Sequence, residues 1–374
     1  MKKDHPMLNS ILSLAKIETW QSSIGLADYT ASHWLDKIQP VDFERVVLTG
    51  CGSSLYNGQV GKYAFEQIAG LAAEAIPAFT FSRYTQPRLL NPRTLVIGIS
   101  TTGETQAVCE ALTHARRSGA KALAVTAYPD SPVRRVADAA VLTNGQSDTL
   151  SVKTSSYVQA LIALYVLAIR LGERRTAAAG QADVLPKNGI VQISKAGELA
   201  AAFLEQGQSV ICQLAEGFAS TPKVFVLGCG PNCGTAEEAA LKVIEMAKLY
   251  AEAQELENFF HGRLREVNQT TPLFFIAPRG LSSERMLDFL TVADHIQAPS
   301  VVLTDEITEG IRKLARYVIQ MPEGLAELFT PLLYIIPLHL FSFELALARG
   351  YDPNARRYNI VPQKVKYGQP VQEL

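Results

Sequence analysis

Two glycine turns rich in hydroxyl side chains follow apolar segments in the first half of the chain, at Gly50–Ser54 and at Ser100–Thr105. A helix that begins at such a turn presents free backbone N–H groups and a partial positive charge to an anion. Hydroxyls supply further hydrogen-bond donors, and here they belong to Ser53, Ser54, Ser100, Thr101, Thr102 and Thr105. The pattern predicts a phosphate site that needs no metal ion, although either turn alone is also typical of an ordinary helix cap.

The spacing of the two turns favours a shared ligand. Each follows a predicted strand, at 46–50 and 94–99, and the carboxyl ends of parallel strands meet at one edge of a sheet. A dinucleotide site is the obvious competitor, but the first turn lacks the third glycine of G-x-G-x-x-G, and no acidic residue ends the next apolar stretch, 71–77. We therefore expect a sugar phosphate and not NAD.

A second group of chemically useful residues lies in a predicted helix over 236–245. Residues three and four apart share a helix face, which brings Glu238, Lys242 and Glu245 together. The opposite face is apolar and is expected to pack on the sheet through Ala240, Val243, Ile244 and Ala247. Near a bound sugar, a carboxylate can move a proton between C1 and C2, and a cation can stabilise the developing oxyanion. A solvated salt-bridge face is the alternative interpretation of the same spacing.

A histidine follows this helix in the segment Phe259-Phe260-His261-Gly262. Opening a sugar ring requires a group that exchanges a proton near neutral pH, which an imidazole does without any shift in its pKa. His261 is thus a candidate catalyst of ring opening, with a purely structural histidine as the alternative.

Composition indicates an ordinary soluble globular protein. The chain has 374 residues, 48% hydrophobic and 19% charged, which is enough for two full cores. The net charge of -1 gives no reason to expect nucleic acid or an anionic membrane as a partner. Five scattered cysteines form no disulfide framework, and no metal ion or cofactor is expected. The N-terminus lacks an apolar signal segment, so we expect a cytoplasmic protein.

One apolar stretch, 329–348, is long enough to span a bilayer. Pro331, Pro337, His339 and Glu344 interrupt it, and a charged group in hydrocarbon costs on the order of 3 kcal/mol or more. We expect a buried helix, in a large core or, more specifically, at a subunit interface.

Alternating strand and helix patterns predict an α/β protein with two tandem, doubly wound, three-layer α/β/α domains of flavodoxin-like topology. The domains are predicted at 1–180 and 190–350, with a tail over 351–374. The segment Val47–Gly52 is echoed by Phe225–Gly230, which supports an internal repeat. The second copy lacks the hydroxyls, since Pro231 and Asn232 follow its glycine, so only the first domain is expected to bind phosphate.

With these residues in place, nearly the whole chain resembles the SIS (sugar isomerase) domain family. It is similar to the isomerase half of glucosamine-6-phosphate synthase, to the fructosamine-6-phosphate deglycases and to the aminosugar-phosphate deaminases. The resemblance rests on six segments in the expected order, which are 51–54, 100–105, Lys153-Thr154, 238–245, His261-Gly262 and 331–337.

The resemblance implies a role for each candidate residue. The six hydroxyls would hold the phosphate, Glu245 would shuttle the proton, and Lys242 and Glu238 would contact the reacting end of the substrate. His261 would open the ring in the neighbouring subunit's site, which implies a homodimer with shared sites. Further substrate contacts are expected from Gly52, Lys153, Arg263 and Lys364.

Departures from the family pattern bear on the substrate. Asn258 stands where the synthases have Glu, and Arg263 replaces a proline, which indicates an unusual substrate with an extra carboxylate. Val361 falls where the synthases have a Schiff-base lysine, and Lys364 would substitute only if the tail shifted by three residues. No glutamine-hydrolysing segment precedes these motifs, so no glutaminase activity is expected.

We therefore expect an enzyme that acts on a 6-phosphorylated amino- or amine-conjugated sugar, as a deglycase or as a deaminase/isomerase. A simple aldose-ketose phosphosugar isomerase is the alternative within enzymes. A sugar-phosphate-binding sensor without catalysis is the alternative from another class.

Overall fold

Two parallel five-stranded sheets organise the protein in the computed structural model, which describes residues 4–38, 43–145, 150–178, 188–206 and 208–358. The first sheet contains β1 (Arg45–Gly50), β2 (Ala72–Pro77), β3 (Thr94–Ile99), β4 (Lys121–Thr126) and β5 (Ala139–Leu142). The second contains β6 (Lys223–Gly228), β7 (Tyr250–Glu255), β8 (Leu273–Ile276), β9 (Ser300–Thr304) and β10 (Tyr317–Gln320).

The strand orders are β2-β1-β3-β4-β5 and β7-β6-β8-β9-β10, so the two sheets have the same topology. Every strand pairing within them is parallel. This is the flavodoxin-like order, and it confirms the predicted fold class and the internal repeat.

Helices cover both sheets. The first half of the chain contains α1 (Pro6–Leu12), α2 (Ile17–Leu35), α3 (Ser53–Gln67), α4 (Ala78–Tyr84), α5 (Gln106–Arg117), α6 (Pro132–Val136) and α7 (Ser155–Ala178). The second half contains α8 (Gly189–Gln206), α9 (Gln208–Gly217), α10 (Asn232–Ala247), α11 (Leu256–Phe260), α12 (Ser283–Ile296), α13 (Glu309–Leu314) and α14 (Pro331–Ala348).

Strand β7 was not predicted from the sequence, whose apolar runs indicate strands in the second half near 223–228, 272–277, 298–303 and 316–320. It reads Tyr-Ala-Glu-Ala-Gln-Glu and lies at the edge of the second sheet, where only one neighbour pairs with it. Its inward residues are the buried alanines Ala251 and Ala253, and alanine is a weak strand former. An edge strand of this composition has no apolar run by which to recognise it.

The largest apolar cluster contains side chains from both sheets and from the helices between them, α3, α7, α10 and α14. Two smaller clusters cover the outer faces of the first and the second sheet. Helices α3 and α10 pack directly against each other, as do α10 and α14. The two helices that carry the candidate site residues therefore meet in a layer that both halves of the chain share.

Helices α7 and α14 are long and apolar enough to cross a membrane by length and composition alone. In this structure 94% and 83% of their apolar windows are buried inside the chain, which is typical of core helices. Helix α14 packs on α8, α9 and α10 of the same chain. This corrects the expectation of a subunit interface for 329–348, because the repeat supplies enough internal surface to bury the helix.

Parts of the predicted domain plan lie outside the described residues. These parts are 179–187, within the predicted boundary, and the tail from 359 onward, which includes Val361 and Lys364. The limits 1–180, 190–350 and 351–374 stay predictions.

Candidate active site

The two hydroxyl-rich turns lie side by side in the first sheet. Strands β1 and β3 pair directly, with Thr49 opposite Gly98, so the turns that follow them leave the sheet at adjacent positions. The chain continues from β1 to β2 on one side, whereas β3 lies on the other side. The turns therefore flank a topological switch point, where ligands bind in open α/β sheets.

The second turn is ordered by its own hydroxyls. The Ser100 Oγ lies 3.1 Å from the Thr105 Oγ1 and accepts a hydrogen bond of 3.1 Å from the Gly103 backbone N–H. The Glu104 N–H points to the Thr102 Oγ1 at 3.4 Å. Thr101 is half-buried and Thr102 is exposed, so this turn presents hydroxyls at its surface.

Neither turn is an ordinary side-chain helix cap. Thr105 is the N-cap residue of α5 but makes no side-chain hydrogen bond to that helix. The N-cap of α3 is Gly52, which has no side chain and a φ of 54° that suits glycine. The half-buried Ser53 and Ser54 follow as the first residues of α3. Both helix N-termini thus keep backbone donors that an anion can use.

Helix α10 brings the three predicted charged residues together. The Lys242 Nζ lies 3.4 Å from the Glu238 Oε1 and donates a hydrogen bond to the Glu245 Oε2. It also donates to the Ser53 Oγ at 3.1 Å, which joins the second half of the chain to the first hydroxyl-rich turn. The charged face of α10 thus lies directly against the start of α3.

This charged face is buried, so the alternative of a solvated salt-bridge face is wrong. The side chains of Glu238 and Lys242 are 0% and 1% exposed, whereas that of Glu245 is 34% exposed. Of the predicted apolar face, Ala240, Val243 and Ala247 are buried and Ile244 is exposed. Both faces of the helix are therefore largely buried, and Glu245 marks the accessible end of the cluster.

The charge state of Lys242 follows from this burial. Desolvation lowers the pKa of its amine, but the adjacent Glu238 and Glu245 carboxylates outweigh that effect and raise the pKa above its usual value. Lys242 is therefore an ammonium ion at neutral pH. It is suited to stabilise a developing oxyanion and unsuited to act as a neutral nucleophile.

Two aromatic side chains complete the buried end of the cluster, and the sequence analysis assigned neither of them to the site. The His339 Nε2 in α14 lies 3.5 Å from the Glu238 Oε1. The Tyr157 ring in α7 stands edge-on to the His339 ring, with 6.1 Å between centroids. Burial, followed by the Glu238 charge, raises the pKa of Tyr157 well above its usual value. The signal in the sequence was a histidine inside an otherwise apolar helix.

Three further predicted residues, His261, Arg263 and Lys153, lie outside α10. The His261 side chain is 76% exposed, and its Nε2 is 4.0 Å from the Glu257 Oε1. Arg263 donates to the Glu252 Oε1 at 2.8 Å. Lys153 is half-buried just before α7. The predicted contact of His261 with the active site of a neighbouring subunit stays a prediction.

A polar cavity of about 390 Å³ lies beside α3 and α10, close to the N-terminal end of α10. It is lined by side chains that include Lys62, Glu237, Gln254 and Asn258, the last of which departs from the family pattern. Burial, with a further contribution from Glu252, raises the pKa of Glu237. In the described part of the chain, no group of three or more His, Cys, Asp or Glu side chains has a metal-binding arrangement.

Replacing Gly103 by Ala tests the packing of the second turn. Gly103 has a φ of 69°, and a Cβ would lie 2.3 Å from both the Cβ and the Oγ of Ser131. The left-handed backbone alone costs roughly 1–2 kcal/mol for a residue other than glycine. We expect the loss of unfolding free energy, measured by urea titration, to exceed this backbone cost.

Gly70→Ala is the matched control for this substitution. Gly70 has a φ of 62°, but a Cβ there meets nothing within 4 Å. Gly70→Ala therefore has the free-energy cost of a left-handed backbone but no steric clash of the new Cβ, and Gly70 lies outside both hydroxyl-rich turns. Equal destabilisation of the two variants would show that the contact with Ser131 is not rigid.

The comparisons with known proteins agree with this architecture. A profile of the SIS domain matches residues 41–170 and 217–349. A glutamine-fructose-6-phosphate aminotransferase (isomerizing) from Leifsonia xyli is 31% identical over 84% of this chain and 50% of its own length. The chain thus spans about half the length of the curated relatives that it matches.

Two solved structures share the fold. The C-terminal domain of glucosamine-fructose-6-phosphate aminotransferase from Francisella tularensis superimposes with a TM-score of 0.81 at 20% identity, covering 94% of this chain and 98% of that one. Glucosamine-6-phosphate deaminase from Thermotoga maritima superimposes with a TM-score of 0.72 at 21% identity, covering 93% and 96%. From the profile match over both halves and the paired five-stranded sheets, the chain belongs to the SIS domain family.

Proposed function

We propose that this protein is an enzyme acting on a 6-phosphorylated amino- or amine-conjugated sugar, as a deglycase or as a deaminase/isomerase. The observation that carries the proposal is the contact of Lys242 with both Ser53 and Glu245. It places a cation and a carboxylate beside the turn proposed to hold the phosphate. The names of two similar proteins, a fructose-6-phosphate aminotransferase and a glucosamine-6-phosphate deaminase, support a nitrogen-bearing sugar.

The proposed chemistry assigns one task to each part of the site. The two turns and the N-termini of α3 and α5 bind the phosphate through backbone and hydroxyl donors. Glu245 takes a proton from one of the carbons C1 and C2 and returns it to the other, while Lys242 stabilises the oxygen that becomes negative. The buried Glu238 balances the charge of Lys242. In the deglycase or deaminase reaction, the proton transfer converts the amine-bearing carbon to an imine. Water then adds to that carbon, and the C–N bond breaks as the C=O bond forms and the protonated amine leaves.

We further propose a homodimer in which His261 of each subunit opens the sugar ring in the site of its neighbour. The support from this chain is that the His261 side chain is exposed. Arg263, two residues later and also exposed, is proposed to contact the substrate beside it.

A substrate panel tests the proposed function. The purified protein is incubated with fructosamine 6-phosphate conjugates, with glucosamine 6-phosphate and with unmodified ketose 6-phosphates, and amine release and isomerisation are measured separately. Amine release from the conjugates or from glucosamine 6-phosphate supports the proposal. Isomerisation of plain ketose phosphates alone would favour the simple isomerase, and binding without any reaction would favour the sensor.

A further inference from the structure

His339 is a fully buried imidazole in the middle of α14, which is otherwise almost entirely apolar. Burying a polar ring is unfavourable unless a polar or charged group accompanies it. The group beside it is the Glu238 carboxylate of α10, whose Oε1 lies 3.5 Å from the His339 Nε2. The pair connects α14 to the helix that carries Lys242 and Glu245.

The Glu238 carboxylate is held from two sides. Its Oε1 lies 3.4 Å from the Lys242 Nζ and 3.5 Å from the His339 Nε2. Neither carboxylate oxygen meets hydrogen-bond geometry with any residue that the structure describes. Lys242 is one turn away on α10, the helix that also carries Glu238, whereas His339 belongs to α14. The position of Glu238 thus depends on the charged and polar groups that flank it.

Glu238 is the carboxylate that stays charged beside Lys242 throughout the proposed reaction. In the resting site, Lys242 has two carboxylate neighbours, Glu238 and Glu245. Once Glu245 has taken a proton from the substrate it is neutral, and the negative charge has moved to the substrate oxygen that Lys242 is proposed to stabilise. A displaced Glu238 would let the buried ammonium shift away from that oxygen at this step.

We propose that His339 is a positioning residue that holds the Glu238 carboxylate against Lys242, and so fixes the Lys242 ammonium between Ser53 and Glu245. The expected effect of His339 on kcat rests on the proposed function. The contact between His339 and Glu238 rests on the packing of α14 against α10 and is tested separately from turnover.

The kinetic test uses two substitutions of His339 and measures turnover of the substrate that the panel identifies. His339→Leu fills the space but removes the polar contact, and we expect kcat to fall about tenfold or more with KM within about twofold. His339→Gln keeps an N–H donor, and we expect it to recover most of the lost kcat. Three results would overturn the assignment: an unchanged kcat in the Leu variant, a rise in KM in place of the fall in kcat, or no recovery of kcat in the Gln variant.

Ser342→Ala is the matched control. Ser342 is buried in the same helix and donates to the Leu338 carbonyl within α14, away from the charged cluster. It perturbs the packing of α14 without touching Glu238. We expect kcat and KM within about twofold of the original values, and a loss equal to that of His339→Leu would show that α14 packing alone is responsible.

A double-mutant cycle tests the contact whether or not the enzyme turns over the panel. Urea unfolding is measured for the original chain, His339→Leu, Glu238→Gln and the combination. Residues in contact are non-additive, and we expect the coupling to change the folding equilibrium by about fivefold or more. Additive effects would overturn the contact. Coupling without turnover of any substrate would support the contact and contradict the proposed function instead.

Discussion

Replacing Glu245 by Gln is expected to lower kcat by about 10²–10⁴-fold, the usual contribution of a positioned general base. The amide has nearly the shape of the carboxylate and can still accept the hydrogen bond that Lys242 donates to Glu245. It cannot take a proton from carbon. The turns proposed to bind the phosphate follow β1 and β3 and do not include Glu245. We therefore expect the affinity for fructose 6-phosphate, measured calorimetrically, to stay within about threefold of the original value.

Glu237→Gln provides the control for a change of charge on the same helix. Glu237 is half-buried one residue before Glu238, and in the described residues no ion pair joins it to Lys242. We expect its kcat within about threefold of the original value. Retained turnover in Glu245→Gln, or equal losses in the two variants, would contradict the assignment of Glu245 as the proton carrier.

Glu245→Gln also tests the proposed sharing of active sites between two copies of the chain. His261→Ala is expected to be inactive because it removes the ring-opening group from the neighbouring site. If inactive Glu245→Gln and His261→Ala chains are mixed and exchange randomly in a two-fold dimer, about a quarter of the original activity should return. No recovery, despite mixed dimers shown by native mass spectrometry, would place His261 outside the shared site.

Local patterns were sufficient to predict the two hydroxyl-rich turns and the strands before them, while phosphate binding there stays a prediction. Each turn is a short contiguous segment after a buried apolar strand, and in a parallel sheet the carboxyl ends of β1 and β3 meet at one edge. The same reasoning failed for β7, where buried alanines alternate with polar residues at the edge of a sheet. An edge strand needs little apolar surface, so its sequence carries little signal.

The spacing of Glu238, Lys242 and Glu245 predicted that they share a helix face but not which way that face points. Helical periodicity favours burial of the apolar side, and Ala240, Val243 and Ala247 are buried as predicted, but the charged side is buried too. Burial of the charged side is a tertiary effect: α3 presents Ser53 on one side of α10, and α14 presents His339 on another. The partner from α14 lies 101 positions after Glu238, and no local pattern reports such a contact.

Substitution of Lys242 by Met is expected to remove both turnover and much of the stability. Its Nζ is the hydrogen-bonding or ionic partner of Glu238, Glu245 and Ser53, and its side chain is 1% exposed. Removing one member of a buried ion pair typically costs about 3–5 kcal/mol, because the other charge stays buried without compensation. Urea unfolding at neutral pH measures this loss, and kinetics measures the loss of oxyanion stabilisation.

The pH dependence of that loss has a definite sign. The pKa of Lys242 is raised in the folded chain, so its contribution to stability is complete below about pH 10.4, the ordinary value for the unfolded side chain. It is lost as the pH rises through the higher folded value. The difference in stability between the original chain and Lys242→Met should therefore be constant near neutrality and shrink in alkali. A difference that grows with pH would contradict the ammonium assignment.

A double substitution distinguishes the contribution of Lys242 to stability from its contribution to catalysis. In Lys242→Met with Glu238→Gln, the carboxylate that had lost its cation is neutral, and replacing both members of a buried pair is often nearly neutral for stability. We expect most of the lost unfolding free energy to return while turnover stays absent, because no cation remains beside Glu245. Recovery of turnover together with stability would mean that Lys242 serves the fold and that the oxyanion is stabilised by another group.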